Sequence, residues 1–290
     1  MPLNSVNTNI GAQIALQSLE STESQLSVTQ KQISTGLRVA DSTDDGAAFS
    51  IAQGIRSTVG ALTSANQQLG NATGLLTTTQ SALTNISDMM GSMRDVLVKL
   101  SDSSTQGSAR TDYQQQYSSM LANTKTFVQD ADYNGKTLIG NVTGSTGTFG
   151  SVAVARNESG ASYGIATFGG SAMLAQIGAG GGFTTTLMQS STGAASIAAL
   201  ISTTGTFLTE QNAVGTALNT VGSSVNFINN QTTYNNDKID SLNAGLGSLI
   251  DADLAKESAQ LTALQIRQQL GTQALSLANQ APQSLLSLFK

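Results

Sequence analysis

The side chains whose type and spacing could do chemistry are three pairs of carboxylates: Asp44 with Asp45, Asp130 with Asp132, and Asp251 with Asp253. Two carboxylates held close can divide their pKa values, one acting as acid and the other as base, or can share a cation. They need helpers to do so, and the chain contains no His and no Cys, which removes the usual general base, the usual metal ligand and the thiol nucleophile. Each pair also falls where a helix is expected to start or stop. There a carboxylate has a plainer use, accepting hydrogen bonds from backbone N–H groups that no helical carbonyl reaches. The sequence therefore offers no catalytic, cofactor-binding or metal-binding residue. Sequons at Asn141-Val142-Thr143 and Asn157-Glu158-Ser159 arise by chance in a chain so rich in Ser, Thr and Asn.

Composition narrows the class further. Only 11% of the 290 residues are charged and 4% aromatic, so any core is built from small and aliphatic groups. A net charge of -5, with Lys and Arg scattered singly, excludes a nucleic-acid partner, which would need a basic patch. The start, Met1-Pro2-Leu3-Asn4-Ser5-Val6, has neither the basic residues nor the apolar run of a secretory signal. No stretch reaches the roughly 18 apolar residues of a membrane span, so no membrane partner is expected. On these signals alone the chain reads as cytoplasmic.

The elements that would position such residues are helices with seven-residue repeats. Leu16, Leu19, Glu23, Leu26, Gln30, Ile33 and Leu37 advance in alternating steps of three and four, a coiled-coil stripe with polar insets, and Gly36 reads as its left-handed stop. Thr43-Asp44-Asp45-Gly46 then opens a longer helix. Ile51, Ile55, Thr58, Leu62, Ala65, Leu69, Ala72, Leu76, Thr79, Leu83, Ile86, Met90, Met93, Leu97 and Leu100 keep the same steps without a slip. At 1.5 Å per residue that helix is about 80 Å long, which implies a rod. A stripe through Tyr113, Tyr117, Met120, Thr124, Phe127 and Ala131 should fold back along it.

Asn134-Gly135 predicts a tight turn with Lys136 to Ile139 as the second arm of a hairpin. From Gly140 to about Gly205, glycine clusters and short runs at 151–154 and 165–168 predict a small irregular β region on the surface, with a short helix over 194–202. Helical order returns through Val214, Leu218, Val221, Val225, Ile228, Thr232, Asn235, Ile239, Leu242, Leu246 and Leu249.

The last stretch, from Asp251 to Lys290, carries one track through Leu254, Leu261, Gln268 and Leu275 and a companion through Leu264, Gly271, Ala278 and Leu285. Ile266, Leu270 and Leu277 lie on another side of the same helix, so a single partner helix would not cover it. The fold class is mainly α: a long antiparallel helical hairpin and coiled-coil bundle with a small β-containing surface region in the middle of the chain.

Both ends carry motifs that resemble bacterial flagellin. At the start these are Ser5-Val6-Asn7-Thr8-Asn9, Ile33-Ser34-Thr35-Gly36-Leu37-Arg38 and Asp44-Asp45-Gly46-Ala47-Ala48. At the end they are Gln265-Ile266-Arg267-Gln268-Gln269-Leu270-Gly271, Ala278-Asn279-Gln280-Ala281-Pro282-Gln283 and Leu285-Leu286-Ser287-Leu288-Phe289-Lys290. Tyr133-Asn134-Gly135-Lys136 is similar to a turn of the same family. The match covers roughly the first 140 and last 80 residues, and its middle is short, as in the compact flagellins of alphaproteobacteria.

The resemblance implies a structural subunit that polymerises with its own copies into the flagellar filament, and not an enzyme. It also implies export, unfolded and without a cleaved signal peptide, to an extracellular filament, which replaces the cytoplasmic reading. Residues 1–43 and 250–290 would form an inner terminal coiled-coil domain, 44–140 and 205–249 a helical bundle domain with a β-hairpin, and 141–204 a short variable region exposed on the surface. Leu16, Leu19, Leu26, Ile33, Leu254, Leu261, Leu264, Leu275 and Leu285 are the expected inner packing residues. Ile266, Leu270 and Leu277 are the expected contacts between subunits, and Leu62, Leu76, Leu83, Leu97, Val225 and Leu242 the bundle core.

A flagellar export chaperone, a filament cap and hook-junction proteins would be further partners. Ser92-Met93-Arg94-Asp95-Val96 occupies the place of a motif that the vertebrate innate receptor reads in many flagellins. With only Arg94 and the shortened acid Asp95 kept, weak recognition is expected. The competing readings are a hook-filament junction protein with similar ends and a flagellin-like surface adhesin using residues 141–204.

Overall fold

The computed structural model describes residues 9–140 and 142–288, with side chains described up to residue 280. Three helices come first, α1 (Ile10–Thr35), α2 (Gly46–Leu100) and α3 (Gly107–Gln129). Four short strands follow, β1 (Lys136–Thr137), β2 (Thr148–Phe149), β3 (Val152–Ala155) and β4 (Ser162–Ile165). The short helices α4 (Gly170–Gln176), α5 (Thr185–Gln189) and α6 (Ala194–Leu200) lead to two long ones, α7 (Thr206–Ile250) and α8 (Leu254–Leu288). The chain is mainly α with its strands confined to the middle, and it forms two compact units, Met1–Val59 with Asp240–Lys290, and Gly60–Ile239.

In the unit of residues 60–239 the core follows the α2 stripe. Every stripe position from Leu62 to Leu100 is buried, with Leu62, Leu76, Leu83 and Leu97 wholly so. Leu75, Ala82 and Val96 form a second buried row beside it, because α2 is covered from more than one side. The helix α3 runs back antiparallel. Lys99 stands 5.3 Å over the Tyr113 ring, and nearer the other end Thr124 Oγ1 lies 3.9 Å from Met93 Sδ. Val214, Val221 and Ile228 of α7 enter the same core, and Val225 is half-buried.

Two local expectations change here. Asn134 and Gly135 both adopt positive φ, 52° and 74°, as the tight turn requires, and Tyr133 and Lys136 exchange both backbone hydrogen bonds across it. The hairpin stops at that pair. Leu138 and Ile139 turn inward to full burial, and β1 pairs instead with β2 in parallel. The second β run is also displaced: β3 pairs antiparallel with β4 over 162–165, so the expected strand at 165–168 begins where β4 ends.

The middle segment is not a surface layer alone. Val154, Ile165, Met173, Ile177, Phe183, Met188 and Ile197 are all buried in the common core. Tyr117 donates its hydroxyl to the Ile177 carbonyl, and Phe183 bridges the Tyr117 and Phe207 rings at 5.8 and 5.9 Å. Burial holds the Tyr117 phenol far above its usual pKa.

In the other unit, α1 ends at Gly36 with φ of 70°, its N–H donating to Gln32 O at 2.8 Å. The chain beyond it is stitched to the end of α7. The Arg38 and Val39 N–H groups donate to Ile250 O at 2.7 and 3.3 Å, and the Ala252 N–H donates to Gly36 O at 3.0 Å. Val39, Ala48, Ala52 and Ile250 make a small core closed by Leu37, Phe49, Leu246 and Leu249. Ile51 is exposed and Ala52 takes the buried place expected for it, while Leu242 is half-buried.

Candidate assembly surface

The pairing of α1 with α8 is fixed by contacts at both ends. Asn9 caps α1, accepting the Ala12 N–H at 3.1 Å, and donates across to Ala278 O at 2.7 Å. Near the middle an added Cβ on Gly271 would stand 3.3 Å from Leu19 Cδ1, so glycine there lets the helices approach. Gln268 Nε2 lies 3.5 Å from Glu23 Oε1, and Leu37 forms an antiparallel bridge with Asp251. The two helices run antiparallel.

The seam in α1 consists of Ala12, Ala15, Leu19, Thr22, Leu26, Thr29 and Ile33, all shielded at least in part. Leu19, Leu26 and Ile33 stand where the sequence put them, but the alternate track lies one residue earlier than expected. Leu16, Glu23 and Gln30 are exposed, and the smaller Ala15, Thr22 and Thr29 face the partner. The heptad spacing assigns Leu16 to the seam. Packing favoured the small residues, which bring the helix axes closer. On α8, Leu261, Leu264, Gln268, Gly271, Leu275 and Ala278 form the matching row. Leu254, the first helical residue, is 49% exposed and outside it. Leu285 lies outside the residues whose side chains are described.

This seam is thin. Thr29 is the only fully buried side chain of α1, and Leu264 the only one of α8 among those described. Apolar residues stand uncovered on other faces: Ile10, Ile14, Leu16 and Val28 on α1, and Ile266, Leu270 and Leu277 on α8, with Leu277 70% exposed. Ile14 and Leu270 line one groove of about 780 Å³ together with Leu19, Gly271 and Ala274. Two helices that leave this much apolar surface in water gain little from each other and much from additional neighbours.

The carboxylate pairs resolve into structural roles. Asp45 caps α2, accepting the Ala47 and Ala48 N–H groups at 3.0 Å, and Asp253 caps α8 through Ala255 and Lys256 at 3.0 and 3.2 Å. Asp132 accepts from Thr146 Oγ1 at 2.8 Å, and Asp130 takes the position after α3. Asp44 does something the spacing did not show. It shares Lys31 with Asp41, the ammonium lying 2.8 Å from Asp44 Oδ1 and 2.7 Å from Asp41 Oδ2.

Lys31 holds both carboxyls below the usual aspartate range, helped by Thr43 at Asp41 and by the Ala40 N–H at Asp44, and both carboxylates raise Lys31 in turn. The pairing spans ten and thirteen residues, beyond any local periodicity. Among the described residues no group of three or more acidic, His or Cys side chains could hold a metal, and no helix is long and apolar enough to cross a membrane. Arg94 and Asp95 are exposed on α2.

Comparison with known proteins finds family matches over both ends of the chain. Residues 6–143 match the model of the bacterial flagellin N-terminal helical region, and residues 203–289 that of the bacterial flagellin C-terminal helical region. Over 294 aligned residues covering 100% of both chains, the protein is 35% identical to flagellin FljK and 33% identical to flagellin FljM of Caulobacter vibrioides. It is 33% identical to a flagellin of Brucella melitensis, with 99% of each chain covered.

Proposed function

The chain belongs to the bacterial flagellin family, and from that premise we infer how this structural subunit of the flagellar filament assembles. The family is one of structural proteins, and its place is the extracellular filament that drives swimming. The observation that carries the reading is the α1–α8 pair, two helices of 26 and 35 residues that bury only one side chain each among those described. Such a pair is completed by copies of itself.

A contact that joins unlike surfaces of identical subunits and does not close on itself generates an open helical filament. Residues 1–43 and 250–290 serve as the inner domain and 44–140 with 205–249 as the surrounding bundle. Residues 141–204 supply outer surface while their buried members anchor them. Ile266, Leu270 and Leu277 form the intersubunit face, supported by their exposure in the single chain. Because the pair is so poorly covered alone, α1 and α8 order on assembly. Family membership supports export as an unfolded chain without a cleaved signal, with a chaperone, a cap and hook-junction proteins as further partners. Negative-stain microscopy of the purified chain under polymerising conditions tests the reading. Long hollow filaments are expected, and persistent monomers would overturn it.

A further inference from the structure

Asn235 sits in the apolar stripe of α7 with none of its surface exposed. Leucine or valine is the ordinary occupant of such a place, because a buried amide is costly unless its donors and acceptors are met. Here they are met from three directions. Asn235 Nδ2 donates to Asn66 Oδ1 of α2 at 2.8 Å and to the Arg156 carbonyl just past β3 at 3.0 Å. Its Oδ1 accepts from Gln231 Nε2, one turn back, at 2.9 Å. Asn66 also donates to Asn236 Oδ1 at 2.8 Å, so the amides bracket the α2–α7 contact.

The Arg156 carbonyl belongs to the closed tip of the β3–β4 hairpin. The Arg156 N–H donates to Ala161 O at 2.8 Å, and Asn157 Oδ1 accepts the Ala161 N–H at 2.9 Å. One turn along α7 from Asn235, Lys238 pairs with Glu158 of the same tip. The base of the hairpin is held differently, by buried Val154 and Ile165 and by the Tyr163 ring stacked 4.2 Å from Phe227.

We propose that Asn235 is a positioning residue, which seats the tip of the β3–β4 hairpin on the α2–α7 pair and so fixes the surface that this hairpin presents from each subunit. An apolar side chain would fill the stripe equally well. What only the amide supplies is direction, since its two N–H groups are aimed at two different segments. Every copy then carries its hairpin tip in one place, which a repeating lattice requires.

The test uses the full chain and hydrogen exchange of the Arg156 and Ala161 amides, referenced to α2 core amides. In N235L the tip amides should exchange about fivefold faster or more, the scale of one ordinary hydrogen bond, while thermal stability is unchanged or higher. N235D keeps the shape, but an ionised carboxylate only accepts and would face two carbonyl-type oxygens. Arg156 and Glu158 of the tip and Asp237 and Lys238 of α7 are the charged groups nearest along the chain to the contact between Asn235 and the Arg156 carbonyl. Tip protection in N235D should therefore fall as pH rises through the carboxyl's titration, whereas in the wild type ionisation of Glu158 favours its pair with Lys238 and acts in the opposite direction. Wild-type tip exchange in N235L together with no pH step in N235D overturns the proposal. Should N235L fail to fold, the pH step in N235D decides alone.

Discussion

Leu270→Asp isolates assembly from folding. Leu270 is 59% exposed in the single subunit, so the substitution removes little that holds the chain together. If a neighbouring copy covers that exposed part, the leucine contributes about 1–2 kcal/mol there, from the roughly 1.5–3 kcal/mol of full leucine burial. A carboxylate in the same contact loses that amount and adds a desolvation penalty of several kcal/mol. A total of about 3 kcal/mol or more raises the critical concentration for polymerisation by roughly 100-fold or more, whereas Leu270→Ala, which removes only the apolar part, should raise it by less than about 30-fold. Seeded assembly followed by pelleting measures this, with circular dichroism of the unassembled protein as the control for folding. If Leu270→Asp pellets at the wild-type critical concentration, the exposed face of α8 is not between subunits and the assignment of Ile266 and Leu277 falls with it.

Leu83→Ala, at a wholly buried position of the α2 stripe, should lower unfolding free energy by about 2–5 kcal/mol in denaturant titration. Asp45→Ala removes the cap of α2 and should cost about 1 kcal/mol in the same measurement. The Lys31 cluster makes part of stability depend on pH in a definite direction. Asp41 and Asp44 have folded values below their unfolded ones, so their contribution is complete above about pH 4 and disappears as pH falls through the depressed values. Lys31 is raised, so its contribution is complete below its ordinary value and is lost as pH climbs through the raised one. Lys31→Met should flatten the acid limb of a stability-versus-pH profile measured on assembled filaments, where α1 is ordered, and an unchanged limb there would count against the cluster. Hydrogen exchange on unassembled subunits should find residues 1–40 unprotected, and protection before polymerisation would remove the idea that α1 orders on assembly.

What could be read from the sequence divides along a physical line. A stripe repeated every seven residues determines which side of a helix is buried, so α2 from Leu62 to Leu100 was legible residue by residue. The same rule failed by one residue on half of α1, because periodicity gives an angular position and not a side-chain size. Ala15 and Leu16 are consecutive, and the smaller one is partly shielded while Leu16 is exposed. Asn134-Gly135 specified a turn through its own backbone preference, but the partner of the following strand depended on where Leu138 and Ile139 could be buried. Groups that meet only through the fold left no local trace, among them Lys31 with Asp41 and Asp44, and Asn235 with Asn66 and Arg156.

That division bears on the assembly surface itself. Ile266, Leu270 and Leu277 were legible because they break the pattern of the seam, and the fold leaves them uncovered. An apolar residue that satisfies the intramolecular repeat carries no information about a neighbour. One that departs from it, in a helix this poor in charge, carries a cost in solubility that burial within the single chain does not offset. If copies of the chain cover that surplus, as proposed, it is the part of the sequence that describes the filament and not the subunit. Its counterpart on α1 is the set Ile10, Ile14 and Val28, also exposed and also outside the seam. Ile14 shares the groove with Leu270, so Ile14→Asp should impair assembly in the same pelleting assay, while Glu20→Gln, an exposed polar change on the same helix, should not.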